Sequence, residues 1–187
     1  MNQIKVWDPL VRILHWGLAI LIFSNFLNED GHTAHRWIGY VATGFVLVRI
    51  VWGFVGTQHA RFSDWFPSPR RVIEYTKLKL SGQAPRYIGH NPLGAVMMLA
   101  LLLLVINQGV TGYMMGTDLF FGEKWLEEWH GFTADLILVF VGLHVLGAIF
   151  ESIKQKENLP LSMIHGYKRA DEPKAVNRTV KLSQMTE

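Results

Sequence analysis

The chain has 187 residues, half of them hydrophobic and 18% charged, with a net charge of +3 and no cysteine. That length suits one domain, and the missing cysteines exclude disulfides, cysteine-held iron–sulfur clusters and covalently attached c-type haem. The positive excess is concentrated in a few segments, which excludes a general nucleic-acid binder and points to membrane topology.

Four long apolar runs follow one another along the chain. The first, residues 9–27, begins with the helix-start pair Asp8–Pro9. The residues after it, NFLNEDGH, contain no small-residue cleavage site, so it is expected to be retained and not removed as a signal peptide. The second covers residues 35–55, the third 92–115 and the fourth 130–153. Each reaches the ~20 residues that a helix needs to cross ~30 Å of hydrocarbon. They predict an all-α integral membrane protein, a four-helix up-down bundle spanning residues 1–156. Residues 157–187 read as a polar tail, partly disordered near its end.

Between the second and third runs, residues 57–91 carry Arg61, Arg70, Arg71, Lys77, Lys79 and Arg86, and Arg70 to Leu80 reads as a short helix lying on the membrane surface or against a partner. The tail adds Lys154, Lys156, Lys168, Arg169, Lys174, Arg178 and Lys181. The remaining two turns are acidic, with Glu29 and Asp30 in one and Asp118, Glu123, Glu127 and Glu128 against Lys124 in the other. The positive-inside rule then places both termini and the middle loop in the cytoplasm of a bacterial inner membrane.

Of eight histidines, His15, His35, His130 and His144 lie within or at the ends of the predicted helices. Ionisable residues in lipid face a protein interior or a cofactor. His130 and His144 are 14 residues apart, a rise of ~21 Å and a rotation only ~40° short of four turns, so they occupy one face at two depths. The topology matches His15 with His144 at the inner level and His35 with His130 at the outer level. Two imidazoles facing each other across a bundle are what a six-coordinate haem iron requires, so the bundle is expected to enclose two non-covalent b haems. One turn after each histidine stands a small residue, Ala19, Gly39, Ala134 or Ala148, which gives a porphyrin edge clearance; close helix packing also selects small residues. Arg12 and Arg49 are placed to bind inner haem propionates, and Arg36 lies at the outer level, equally suited to lipid phosphate.

The motifs WDPLVRILHW from Trp7, HRWIG from His35 leading to Arg49 and Trp52, GHNP at Gly89 and WHG followed by His144 resemble the bacterial cytochrome b561 superfamily, which includes the b-type cytochrome subunits of nickel–iron hydrogenases. The resemblance covers about residues 5–155. It implies two b haems ligated by His15, His35, His130 and His144, and electron transfer between a membrane quinone and a periplasmic redox partner, either a c-type cytochrome or an enzyme subunit. One free-standing branch oxidises superoxide and reduces ubiquinone. Hydrogenase-type subunits carry a fifth transmembrane segment and this chain shows four, which turns the expectation toward a free-standing cytochrome or one serving a small c-type cytochrome.

Acidic outer loops would favour a basic soluble partner and repel superoxide. His90 and Asn91 are candidates for a quinone carbonyl, with helix capping as the competing role for Asn91. Asp135 is a candidate proton relay. A reading from another class is a metal transporter, with His32 and His35 as its best local pair.

Overall fold

The computed structural model describes residues 2–28 and 33–170. The expectations for Glu29, Asp30, His32 and the far part of the tail lie outside the described residues.

Among the described residues, four helices are long and apolar enough to cross a membrane: α1 (Pro9–Phe26), α2 (Thr33–Val55), α5 (Pro92–Met115) and α6 (Lys124–Gln155). Their starts follow from capping chemistry. The Asp8 carboxylate accepts from the Val11 amide at 2.9 Å ahead of Pro9, and the Asn91 side chain accepts from the Gly94 amide at 2.8 Å ahead of Pro92. Between α2 and α5 lie a 3-10 turn (Gln58–Ala60), the short α3 (Phe62–Trp65) and α4 (Pro69–Leu80). Helix α4, expected from Arg70, starts at Pro69 behind Ser68, whose hydroxyl accepts from the Arg71 amide.

The fourth helix is longer than expected. It starts at Lys124, not at His130, and has 32 residues, about 48 Å at 1.5 Å per residue and well beyond ~30 Å of hydrocarbon. Glu127 and Glu128, expected in a turn, therefore lie in its first turns. Polarity opposes insertion in lipid but not helix formation, and Leu126 anchors this end at 1% exposure.

The chain is not wholly helical. Residues 157–170, placed in the tail, form α7 (Leu159–His165) and β2 (Tyr167–Arg169), and β2 pairs antiparallel with β1 (Gln3–Lys5). Gly166 makes this return possible. Its φ is +91°, and a Cβ there would lie 2.7 Å from the Trp7 carbonyl oxygen, which only glycine avoids. Its own carbonyl accepts from the amides of Val6 and Trp7. The Trp7 indole donates to Ser162 Oγ at 3.2 Å, so β1 and the α7–β2 segment close over one end of the bundle. Arg86 with Glu157 and Lys79 with Glu151 add ion pairs there.

Within the bundle α1 packs on α2, α2 on α5 and α5 on α6, as an up-down order requires. Val46, Leu102, Val105 and Ile137 form the core between α2, α5 and α6. Large apolar side chains such as Ile20, Leu103, Val139 and Leu146 are exposed. Lipid tails are as apolar as leucine, so close packing and hydrogen bonds, not burial from water, join such helices.

Candidate functional site

Helix α6 packs on α5 but stands off α1 and α2, and histidine pairs span the gap. The ring centroids of His15 and His144 are 6.2 Å apart with planes 52° apart; those of His35 and His130 are 6.2 Å apart with planes 59° apart. The first pair lies nearer the end that carries β1 and β2 and is here the near pair; the second is the far pair. The depth matching expected from the sequence is thus the pairing that the structure makes.

The separation has a chemical meaning. A metal–imidazole bond of about 2.0–2.1 Å on each side, plus about 1.1 Å from nitrogen to ring centre, puts two centroids about 6.3 Å apart across one ion. Both pairs have that spacing, which would suit two imidazoles holding one metal ion and is too wide for a direct hydrogen bond.

The far imidazoles are fixed from behind. His35 Nδ1 lies 2.8 Å from the Asn28 carbonyl oxygen, and His130 Nδ1 lies 2.7 Å from Thr111 Oγ1. With Nδ1 engaged, Nε2 is left to face the gap. Around Thr111, Asn107 Nδ2 and Gln108 Nε2 donate to Thr133 Oγ1 at 2.9 and 2.8 Å, and Trp129 Nε1 donates to Asn107 Oδ1 at 3.1 Å. Asn107 and Gln108 carry no signal of this role in the sequence, because their shared partner Thr133 lies on another helix.

The near pair has a different environment. His15 Nδ1 is buried without a hydrogen-bond partner among the described residues, as are Arg12 Nε, Arg49 Nη1, Trp65 Nε1 and His90 Nδ1. Arg49 is 7% exposed; its Nη2 donates to the Ala60 carbonyl at 3.1 Å and its guanidinium lies 5.6 Å from the Phe62 ring centroid. Arg12 Nη1 donates to the His165 carbonyl at 3.3 Å. Buried donors left unpaired are costly, and the guanidinium N–H groups of Arg12 and Arg49 suit an anionic acceptor such as a haem propionate. Asp8, also buried, is satisfied by Thr57 Oγ1 at 2.6 Å and Trp52 Nε1 at 3.0 Å. Burial alone would raise its pKa, but these bonds and the Val11 and Leu10 amides hold it below the usual carboxylate range.

His90 sits between Trp7 and Trp65, 5.0 Å from each ring. Burial, with Arg49 and Lys168 nearby, pushes its pKa down to about 3, so the ring is neutral. It lines a cavity of about 320 Å³ together with His59, Asp64, Trp65, Phe66 and Tyr87. His59 Nδ1 lies 3.1 Å from Asp64 Oδ2. Lys168 closes the same end, donating to the Ile88 carbonyl at 2.8 Å, and burial brings its pKa down to about 8.

The other expected residues separate from these sites. Asn91 is committed to capping α5, while Asp135 and Arg36 are exposed. Gly39 leaves open room, a Cβ there meeting only Asn25 Nδ2 at 3.7 Å. Among the described residues no three His, Cys, Asp or Glu side chains converge on a metal-sized point.

Comparison with known proteins identifies the family. Residues 6–166 match the family model for prokaryotic cytochrome b561. A probable Ni/Fe-hydrogenase B-type cytochrome subunit of Bradyrhizobium diazoefficiens is 26% identical, over 87% of this chain and 85% of its own length. That of Azotobacter vinelandii is 26% identical, over 89% of each chain. The probable Ni/Fe-hydrogenase 1 B-type cytochrome subunit of Escherichia coli K12 is 25% identical, over 87% of this chain and 89% of its own. The alignments extend over 209 to 215 positions, so these relatives hold segments within the matched region that this chain lacks. No solved structure matches with significance. Matched over residues 6–166 and carrying, among the described residues, four helices long and apolar enough to cross a membrane, the chain belongs to the prokaryotic cytochrome b561 family.

Proposed function

We propose that this cytochrome carries electrons across a bacterial inner membrane through two b haems, the near one held by His15 and His144 and the far one by His35 and His130. The observation that carries this reading is the repeated 6.2 Å spacing of two imidazole pairs anchored 14 residues apart on α6. When bound, b-type haem supplies reversible one-electron chemistry at its iron. The chain's own residues fix where that chemistry happens: the imidazoles set the two positions, and Arg12 and Arg49 balance anionic charge at the near one. The distribution of lysine and arginine supports a cytoplasmic near end and a periplasmic far end.

A membrane quinone is the proposed reactant at the near end. His90 and Trp65, which line the cavity, are the proposed partners of a quinone carbonyl. The hydrogen-bonded His59–Asp64 pair at the same cavity can deliver the protons that quinone reduction consumes. At the far end, the names of the relatives favour an enzyme of the nickel–iron hydrogenase kind as partner, with a c-type cytochrome as the other candidate.

His90→Phe tests the quinone site because it keeps an aromatic ring while removing the nitrogens. Turnover of a short-chain quinone should fall about tenfold, or its KM rise by that factor, as expected for one lost hydrogen bond, while the haem spectra stay unchanged. Unaltered kinetics would remove this cavity from the reading.

A further inference from the structure

We propose that Thr111 is a positioning residue which, acting through His130, holds the far site at a lower redox potential than the near site. The inference rests on the reading of the paired histidines as axial ligands.

It follows from hydrogen-bond arithmetic. A threonine hydroxyl has one proton and two lone pairs. Thr111 Oγ1 lies 2.7 Å from the Asn107 carbonyl oxygen and 3.3 Å from that of Gln108, and carbonyls only accept. Its proton is therefore committed to the helix backbone, and toward His130 Nδ1, 2.7 Å away, the hydroxyl acts as an acceptor. His130 must then carry its proton on Nδ1 and present a bare Nε2 to the gap. The Asn28 carbonyl, 2.8 Å from His35 Nδ1, dictates the same tautomer on the opposite side.

Both far imidazoles thus donate an N–H bond, whereas His15 Nδ1 at the near site has no partner among the described residues. Donation from Nδ1 makes an imidazole a more basic ligand, and a more basic ligand favours ferric over ferrous iron. Thr111 and the Asn28 carbonyl would therefore make the far pair the more basic set of ligands.

The placement is rigid. Thr111 is 5% exposed, and the next residue, Gly112, clears the ring: a Cβ there would stand 3.3 Å from His130 Cε1.

The test is optical redox poising of haem-loaded Thr111→Val, Thr111→Ala and Thr111→Ser. The lower of two midpoints should rise in Val and Ala, the ferrous-to-ferric ratio at that site increasing about tenfold at a fixed potential, which is 59 mV for one electron. Ser, which keeps the hydroxyl, should behave as the parent. If Val and Ala instead lose the far haem while Ser keeps it at the parent potential, the positioning role also stands. Haem retained with unmoved midpoints, a shift confined to the higher midpoint, or equal loss in Ser would overturn it. Failure to find two bis-imidazole haems in the unsubstituted protein would instead remove the reading on which the proposal rests.

Discussion

His144→Ala is expected to remove the near haem and leave the far one in place, halving the haem content per chain. On the proposed ligation, His144 is one of the two protein ligands at the near site. His90 lies in the same region but is wedged between Trp7 and Trp65. The far pair is insulated because His35 and His130 are held by Asn28 and Thr111, which His144 does not touch. His130→Ala should give the converse result, loss of the far haem with the near one retained. Reduced-minus-oxidised spectra and EPR of the two variants check this. The same residual signal in both variants would mean that the pairs are not independent sites.

The second large effect is on stability. A Cβ on Gly109 would lie 2.2 Å from Thr43 Oγ1 and 2.7 Å from Thr43 Cγ2. Thr43 cannot easily yield, because its side chain is β-branched and its hydroxyl donates to the Gly39 carbonyl at 2.9 Å. Gly109→Ala therefore forces α2 and α5 apart. Overpacking of this kind costs about 1–3 kcal/mol, a fall in thermal midpoint on the order of 5–10 °C. The displacement should also reach haem binding, since α2 carries His35 and Arg49 while α5 carries Thr111. Thr43→Ala removes the two closest atoms, so the double variant should recover most of the loss, a coupling readable as a double-mutant cycle. Equal losses in the single and double variants would show that the contact does not limit helix approach.

Much of this architecture is legible in the sequence because lipid imposes simple rules. Uninterrupted apolar runs mark the spans, and the third run, residues 92–115, coincides with α5. The matching of His15 with His144 and of His35 with His130 is likewise legible, since alternating helices of known rise fix which residues share a depth.

What escaped has tertiary causes. The α6 extension to Lys124 looks like a turn because its residues are charged, yet outside lipid charge does not oppose a helix. The β1–β2 ladder joins residues at opposite ends of the chain, where three-residue strands give no periodicity to read. Arg49 could be placed near the inner level, but its burial against Phe62 and Ala60 depends on the fold of the loop that follows α2. Thr111 is one polar residue on a helix until His130 is brought beside it.

The reading of two axial pairs is tested most directly by the haem content of the purified protein, measured as pyridine haemochrome against protein mass together with EPR of the oxidised form. Two non-covalent b haems per chain, both giving low-spin bis-imidazole signals, are the predicted result. One haem per chain, or a high-spin signal from an iron with a single imidazole, would contradict it.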